Sequence, residues 1–100
     1  MGNKEQTPEP QPRFTLGQLV GTPGSLEAFT RNGQEPLTFI QRHIIGDWGD
    51  LDEEDKQTNE QSVNQELRLL SAYTLNDGTR VWLITEADRS VTTILLPEEY

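Results

Sequence analysis

Apolar residues follow two different spacings along this chain, and the change of spacing divides it. Over the last third they come in short runs, Val81-Trp82-Leu83-Ile84 and then Val91 with Ile94-Leu95-Leu96, on either side of the polar stretch 86–90. Runs rich in β-branched and aromatic residues favour strands. Residues 81–85 and 91–96 are therefore expected to form a β-hairpin. Just upstream, residues 67–75 place Leu67, Leu69, Ser71 and Tyr73 on one face and Arg68, Leu70, Ala72 and Thr74 on the other. Asn76-Asp77-Gly78 supplies a hairpin turn. Pro97 ends the last strand, because proline cannot donate to a ladder. The expectation is a three-stranded antiparallel meander.

Earlier in the chain the spacing is helical. Thr22-Pro23 fits an N-cap followed by proline at the first helical position, and Leu26, Ala28 and Phe29 then give two turns over residues 25–32, closed by Asn32-Gly33. Leu37, Ile40 and Ile44, widened by Phe39, predict a second helix over residues 36–45. Arg42 and His43 sit near its C-terminal end, where the helix dipole favours positive charge. Asp50 with Glu53 has capping-box spacing and opens a third, strongly polar helix over residues 51–67, with only Leu51, Val63 and Leu67 as large apolar side chains. Residues 14–20 read equally as a short strand or as a short helix capped by Thr15, with Phe14, Leu16 and Val20 available to a core. A three-stranded sheet needs a covering layer. The helices over 25–32 and 36–45 supply it, which makes the class α+β with N-terminal helices packed on a C-terminal meander.

Composition sets limits on that picture. Residues 1–12 hold Pro8, Pro10 and Pro12 and no large apolar side chain after Met1. Such a segment buries too little to offset its ordering entropy, so a disordered tail over 1–12 and one domain over 13–100 are expected. A domain of that size buries roughly 60–65% of its unfolded surface, enough for one modest core. Seventeen acidic residues against eight basic ones give a formal net charge of −9. This disfavours a phosphate backbone as partner and favours a basic protein surface. The chain has no cysteine, so disulfides and thiolate chemistry are excluded. It holds no apolar run of membrane-spanning length and no secretory h-region, and a cytoplasmic location is expected.

Candidate chemistry is sparse. His43 is the only histidine. Near a helix end it is either structural or a general acid/base oriented by Asp47 and Asp50. Its neighbourhood matches no calcium-loop pattern and lacks the histidines of a zinc site, so no metal is expected. Trp48, between Gly46 and Gly49, reads either as a recognition aromatic or as a plug for the core. Asp47, Trp48, Asp50, Asp52, Glu53, Glu54 and Asp55 make up an acidic face suited to a basic partner. Arg89, Ser90 and Thr92 follow a dense polar turn. They read either as turn-holding side chains or as an anion-binding set. No glycine-rich phosphate loop and no other cofactor motif is present, so no cofactor is expected.

Three segments carry a resemblance: His43-Ile-Ile-Gly-Asp-Trp-Gly-Asp, Ser71-Ala-Tyr, and residues 82–100, running from Trp82-Leu-Ile-Thr-Glu-Ala-Asp-Arg-Ser to Leu-Pro-Glu-Glu-Tyr100. With these the chain resembles a group of small, mostly uncharacterised bacterial proteins of plasmids and integrated elements, often labelled "plasmid-related protein" or "type I restriction subunit M". The pattern covers nearly everything from Phe14 onward. The resemblance implies a mobile-element context and no particular chemistry, since 100 residues cannot hold a cofactor-binding methylase domain. At the level of fold alone, helices followed by an antiparallel sheet also resemble barnase- and RelE-like ribonucleases. That likeness implies His43 for proton transfer and Arg89, Ser90 and Thr92 for phosphate, although those enzymes are usually basic. Two functional expectations follow. The first is a non-enzymatic accessory protein that binds a basic surface. The alternative is a small ribonuclease.

Overall fold

A computed structural model describes residues 10–100. Its elements run β1 (Gln18–Gly21), α1 (Pro23–Asn32), α2 (Pro36–Ile44), α3 (Glu53–Gln65), β2 (Leu69–Thr74), β3 (Arg80–Thr85) and β4 (Val91–Leu95), with a closing 3-10 turn at Pro97–Glu99. The expected meander is there. β2 pairs antiparallel with β3, Leu69 opposite Thr85 and Thr74 opposite Arg80, and β3 pairs antiparallel with β4. It is not the whole sheet. β1 adds a fourth strand, parallel to β4, in the order β1-β4-β3-β2. The α+β class therefore holds, but the sheet is mixed, and all three helices lie in sequence between its first strand and the other three. Of the tail expected over 1–12, residues 1–9 lie outside the described residues, and 10–12 are exposed and irregular. Arg13 is tied down by its backbone N–H, which donates to the Ile44 carbonyl at 2.8 Å.

The helix ends follow the local chemistry. Thr22 Oγ1 accepts the Ser25 N–H at 3.2 Å, and α1 closes on Gly33 in the left-handed region. In α3 the cap is Asp52 rather than Asp50. Asp52 Oδ1 accepts the Asp55 N–H at 2.8 Å. The Asp50 N–H is instead drawn to the Ala72 carbonyl at 2.7 Å, which holds Asp50 outside the helix. The helix ends at Gln65, two residues earlier than the sequence suggests, because Glu66 turns left-handed.

One face of the sheet carries the core. Phe29 and Ala28 from α1 and Phe39 and Ile40 from α2 pack against Tyr73, Val81, Leu83 and Ile94. Full burial of a side chain such as Phe29 or Leu83 is worth about 1.5–3 kcal/mol. The buried stripe of α2 is Phe39, Ile40 and His43, and Leu37 turns outward at 58% exposure. Val20, one of the residues available to a core from its sequence position, is also exposed. It sits on an edge strand, where half of each residue's surroundings are missing. Helix α3 buries two polar residues, Asn59 and Ser62, and bonds to the sheet through Asn59 rather than through its apolar ends, and Leu67 is half exposed.

Candidate functional site

His43 occupies the centre of a buried hydroxyl chain. It comes from the last turn of α2, is 0% exposed, and points its ring at the sheet. Nδ1 lies 2.5 Å from Ser71 Oγ and Nε2 2.9 Å from Thr85 Oγ1. Thr85 Oγ1 lies 2.7 Å from Thr92 Oγ1, whose hydroxyl donates to the Leu16 carbonyl at 2.8 Å. A carbonyl can only accept, and each hydroxyl has one proton to give. The Leu16 end therefore fixes the whole direction. Thr92 donates to Leu16, Thr85 to Thr92, Nε2–H of His43 to Thr85, and Ser71 to Nδ1. The ring is thus the neutral Nε2–H tautomer. Burial, helped by the positive Arg89 nearby, lowers its pKa to about 4, because desolvation penalises the charged form. Phe14 and Trp48 close the ring off edge-on, at centroid distances of 5.1 and 5.8 Å.

These contacts decide what the sequence-predicted residues do. His43 and Thr92 are buried and joined through Thr85, whereas Arg89, near enough for its charge to act on His43, is only half-buried. Both ring nitrogens of His43 are engaged, and no atom of it reaches solvent. Asp47 and Asp50 do not orient it. Arg89 stands in the left-handed region at φ 61°. Its guanidinium donates to main-chain carbonyls: Nη1 to Leu67 at 2.7 Å, Glu86 at 3.1 Å and Ala87 at 3.3 Å, and Nη2 to Ser62 at 3.1 Å. It thus caps the C-terminal end of α3, where carbonyls lack helical partners, and it joins that end to the β3–β4 turn. Ser90 is exposed, and its N–H donates to Asp88 Oδ1 at 3.0 Å, which holds the same turn.

The acidic face is built on a loop that turns at Gly46 and Gly49. At Gly49, with φ +77°, an added Cβ would stand 2.0 Å from the Ala72 carbonyl oxygen. Only glycine permits this approach, and it brings the loop against β2, where the Ala72 N–H donates to the Trp48 carbonyl at 3.2 Å. Trp48 is 3% exposed and stacks on Phe14 at 6.2 Å, so it is the core plug rather than a recognition aromatic. Its indole N–H donates to Glu60 Oε2 at 2.9 Å. Glu60 also takes both arms of Arg13, at 2.8 and 2.7 Å, and these bonds, Arg13 first, hold its carboxyl down at about 2. Asp47 pairs with Arg42 at 2.7 Å, which keeps its carboxyl below the usual range. Asp50 accepts from Thr74 Oγ1 at 2.7 Å. The groups left facing water are Glu53, Glu54 and Asp55 in the first turn of α3. Among the described residues, the Lys56 amine is the cation paired with them, 3.9 Å from Glu53.

Several residues with clear structural duties carry no sequence signal. Ser71 and Thr85 reach His43 across 28 and 42 positions. Asn59, in mid-helix, acts as a substitute peptide group: its Nδ2 donates to the Leu70 carbonyl at 2.6 Å and its Oδ1 accepts the Leu70 N–H at 3.2 Å. No buried side-chain nitrogen or oxygen among the described residues lacks a partner. Nor do three or more histidine, aspartate or glutamate side chains gather there as a metal site would require. No helix among them is long and apolar enough to cross a membrane. Comparison with protein-family models, with curated proteins and with solved structures gives no match.

Proposed function

We propose that this chain is a non-enzymatic accessory protein that binds a basic surface of another protein through the acidic face over residues 47–60. The observation that carries the reading is the fate of the cations. Among the described residues, Arg13, Arg31, Arg42, Lys56 and Arg68 are each matched to a carboxylate. Arg89 is turned onto carbonyls, which leaves Arg80. With the formal net charge at −9, most carboxylates among the described residues are left without a cation, most densely at Glu53, Glu54 and Asp55. A surface of this kind attracts and steers a positive partner. The mobile-element context implied by the resemblance is compatible with such a role. The ribonuclease alternative asks for a solvent-facing proton donor beside a free cation. The sealed His43 and the engaged Arg89 weigh against it.

A labelled octalysine peptide, followed by fluorescence anisotropy at low salt, tests the face. Replacing Glu53, Glu54 and Asp55 with their amides is expected to weaken binding about tenfold, or about 1.4 kcal/mol. Replacing Glu27, Glu35 and Glu66 instead changes net charge equally and is expected to weaken it by much less. Equal losses would show that only net charge matters, and the assignment to this face would fail. Cleavage of single-stranded RNA, lost in a folded His43→Ala variant, would favour the enzymatic alternative.

A further inference from the structure

The two edges of the sheet are treated differently. On the β2 edge the outward backbone groups of Leu70 and Ala72 are occupied. The Asn59 amide takes both groups of Leu70. The Ala72 N–H and carbonyl go to Trp48 and Asp50, and Thr74 is held through its hydroxyl by Asp50. Among the described residues the β1 edge has no such cover. The N–H groups of Gln18 and Thr22 donate inward to Ser90 and Ile94, both at 2.9 Å. Strand alternation then turns the N–H and carbonyl groups of Leu19 and Gly21 outward. β1 is the terminal strand of the sheet, and no described residue bonds to these groups from outside it.

The side chains beside that edge are aliphatic on both faces. Leu19 and Leu26 are 47% and 46% exposed on the helix side, and Leu26 lies directly over Gly21. Val20 is 41% exposed on the other side. Edge strands in natural proteins are usually guarded by lysine, proline or a bulge. Gln18-Leu19-Val20-Gly21 contains neither lysine nor proline, and its register with β4 runs without a bulge.

We propose that β1 is a docking edge, separate from the acidic face, that takes up an extended segment of a partner polypeptide with alternating apolar residues and lysine or arginine flanks, as a fifth strand. The backbone supplies the binding and the aliphatic side chains on both faces the fit, as in other strand additions. Charge selects the occupant. Asp88 stands at the β1 end bonded to Ser90. At the other end Glu99 accepts from Thr22 Oγ1 and from the Gly24 N–H, with Glu98 beside it. Among the described residues neither Asp88 nor Glu98 has a cationic partner. A second copy pairing antiparallel would bring Asp88 of one chain against Glu98 of the other, on top of its own −9. A cationic strand meets the same carboxylates favourably.

The test is an NMR titration of the full chain with a synthetic peptide, a Val-Thr-Val-Thr-Val core between two lysines at each end. The Leu19 and Gly21 amides are expected to shift and to exchange with solvent about tenfold more slowly. The same core with glutamate ends, or with proline at its centre, is expected to leave them unchanged. Leu19→Pro removes an outward N–H that β4 does not use, so the chain folds and affinity falls about tenfold or more. Leu19→Lys keeps the N–H and is expected to lose as much by placing a cation against the peptide, should the proline variant not fold. Shifts confined to residues 53–55 would overturn this edge while leaving the acidic-face reading intact. Equal binding of the proline peptide would overturn it too, as would Leu19 and Gly21 amides already protected in a concentration-dependent dimer.

Discussion

Of the two uses open to His43 from its sequence position, structural or titrating, the fold takes the structural one. A histidine near a helix end suggests a titrating group at neutral pH. In the fold its ring is the middle link of a one-way chain of hydroxyls, with its pKa lowered to about 4. The unfolded chain, with a histidine near 6.5, binds the proton more readily than the folded one. His43 therefore contributes stability that is fully present above pH 6.5 and is lost as pH falls toward 4. By pH 4.5 the loss is expected to reach about 2 kcal/mol relative to pH 7. Glu60, held at about 2, adds little in that window. Urea midpoints at the two pH values measure the slope. The same measurement on His43→Gln is expected to start lower at pH 7 and to lose most of the slope. An unchanged slope in the variant would mean that other groups carry it.

At the scale of elements, what could be read from the sequence was what is local. Alternation over residues 67–75, the Asn76-Asp77-Gly78 turn and the Thr22-Pro23 cap each concern neighbours in the chain; the cap and the turn form as expected, and the strand forms over Leu69–Thr74, within the expected span. β1 cannot be told from a short helix in the sequence, because four residues are too few to show a period and its partner β4 begins some seventy positions later. The docking of α3 leaves no trace in the sequence for a different reason. Hydrophobic pattern finds helices that bury leucine, whereas this one buries Asn59 and Ser62. That contact makes a prediction at the same scale. Asn59→Ala removes both bonds to Leu70 and improves helix propensity by a few tenths of a kcal/mol, so a net loss of about 1–2 kcal/mol is expected. Amide exchange localises it. Leu70 is expected to lose protection, whereas Ala72, held by the Trp48 carbonyl at 3.2 Å, keeps its own. Equal loss at both would show that α3 holds the whole edge rather than one residue of it.

For the whole molecule the dominant quantity is the excess of negative charge. Its ion pairs are largely solvent-exposed, with Glu53 at 86% side-chain exposure and Arg31 at 51%, and pairs of that kind contribute about 0–1 kcal/mol each. Salt weakens them, which taken alone would destabilise the fold. Salt also screens the mutual repulsion of the surplus −9, and that repulsion acts against the compact state. At 0.5 M the screening length is about 4–5 Å, shorter than most spacings between surface carboxylates but longer than the 2.7 Å contacts of Arg13 with Glu60 and Arg42 with Asp47. Repulsion is therefore removed more completely than the pairs are. Raising sodium chloride from 10 mM to 0.5 M at pH 7 is expected to stabilise the protein by about 1 kcal/mol, a rise in Tm of about 4–8 °C. Affinity for octalysine over the same range is expected to fall steeply. One cause thus gives two opposite salt dependences in one protein. A stability that falls with salt would instead assign the balance to the ion pairs, and the free acidic surface on which the binding reading rests would be smaller than the charge count implies.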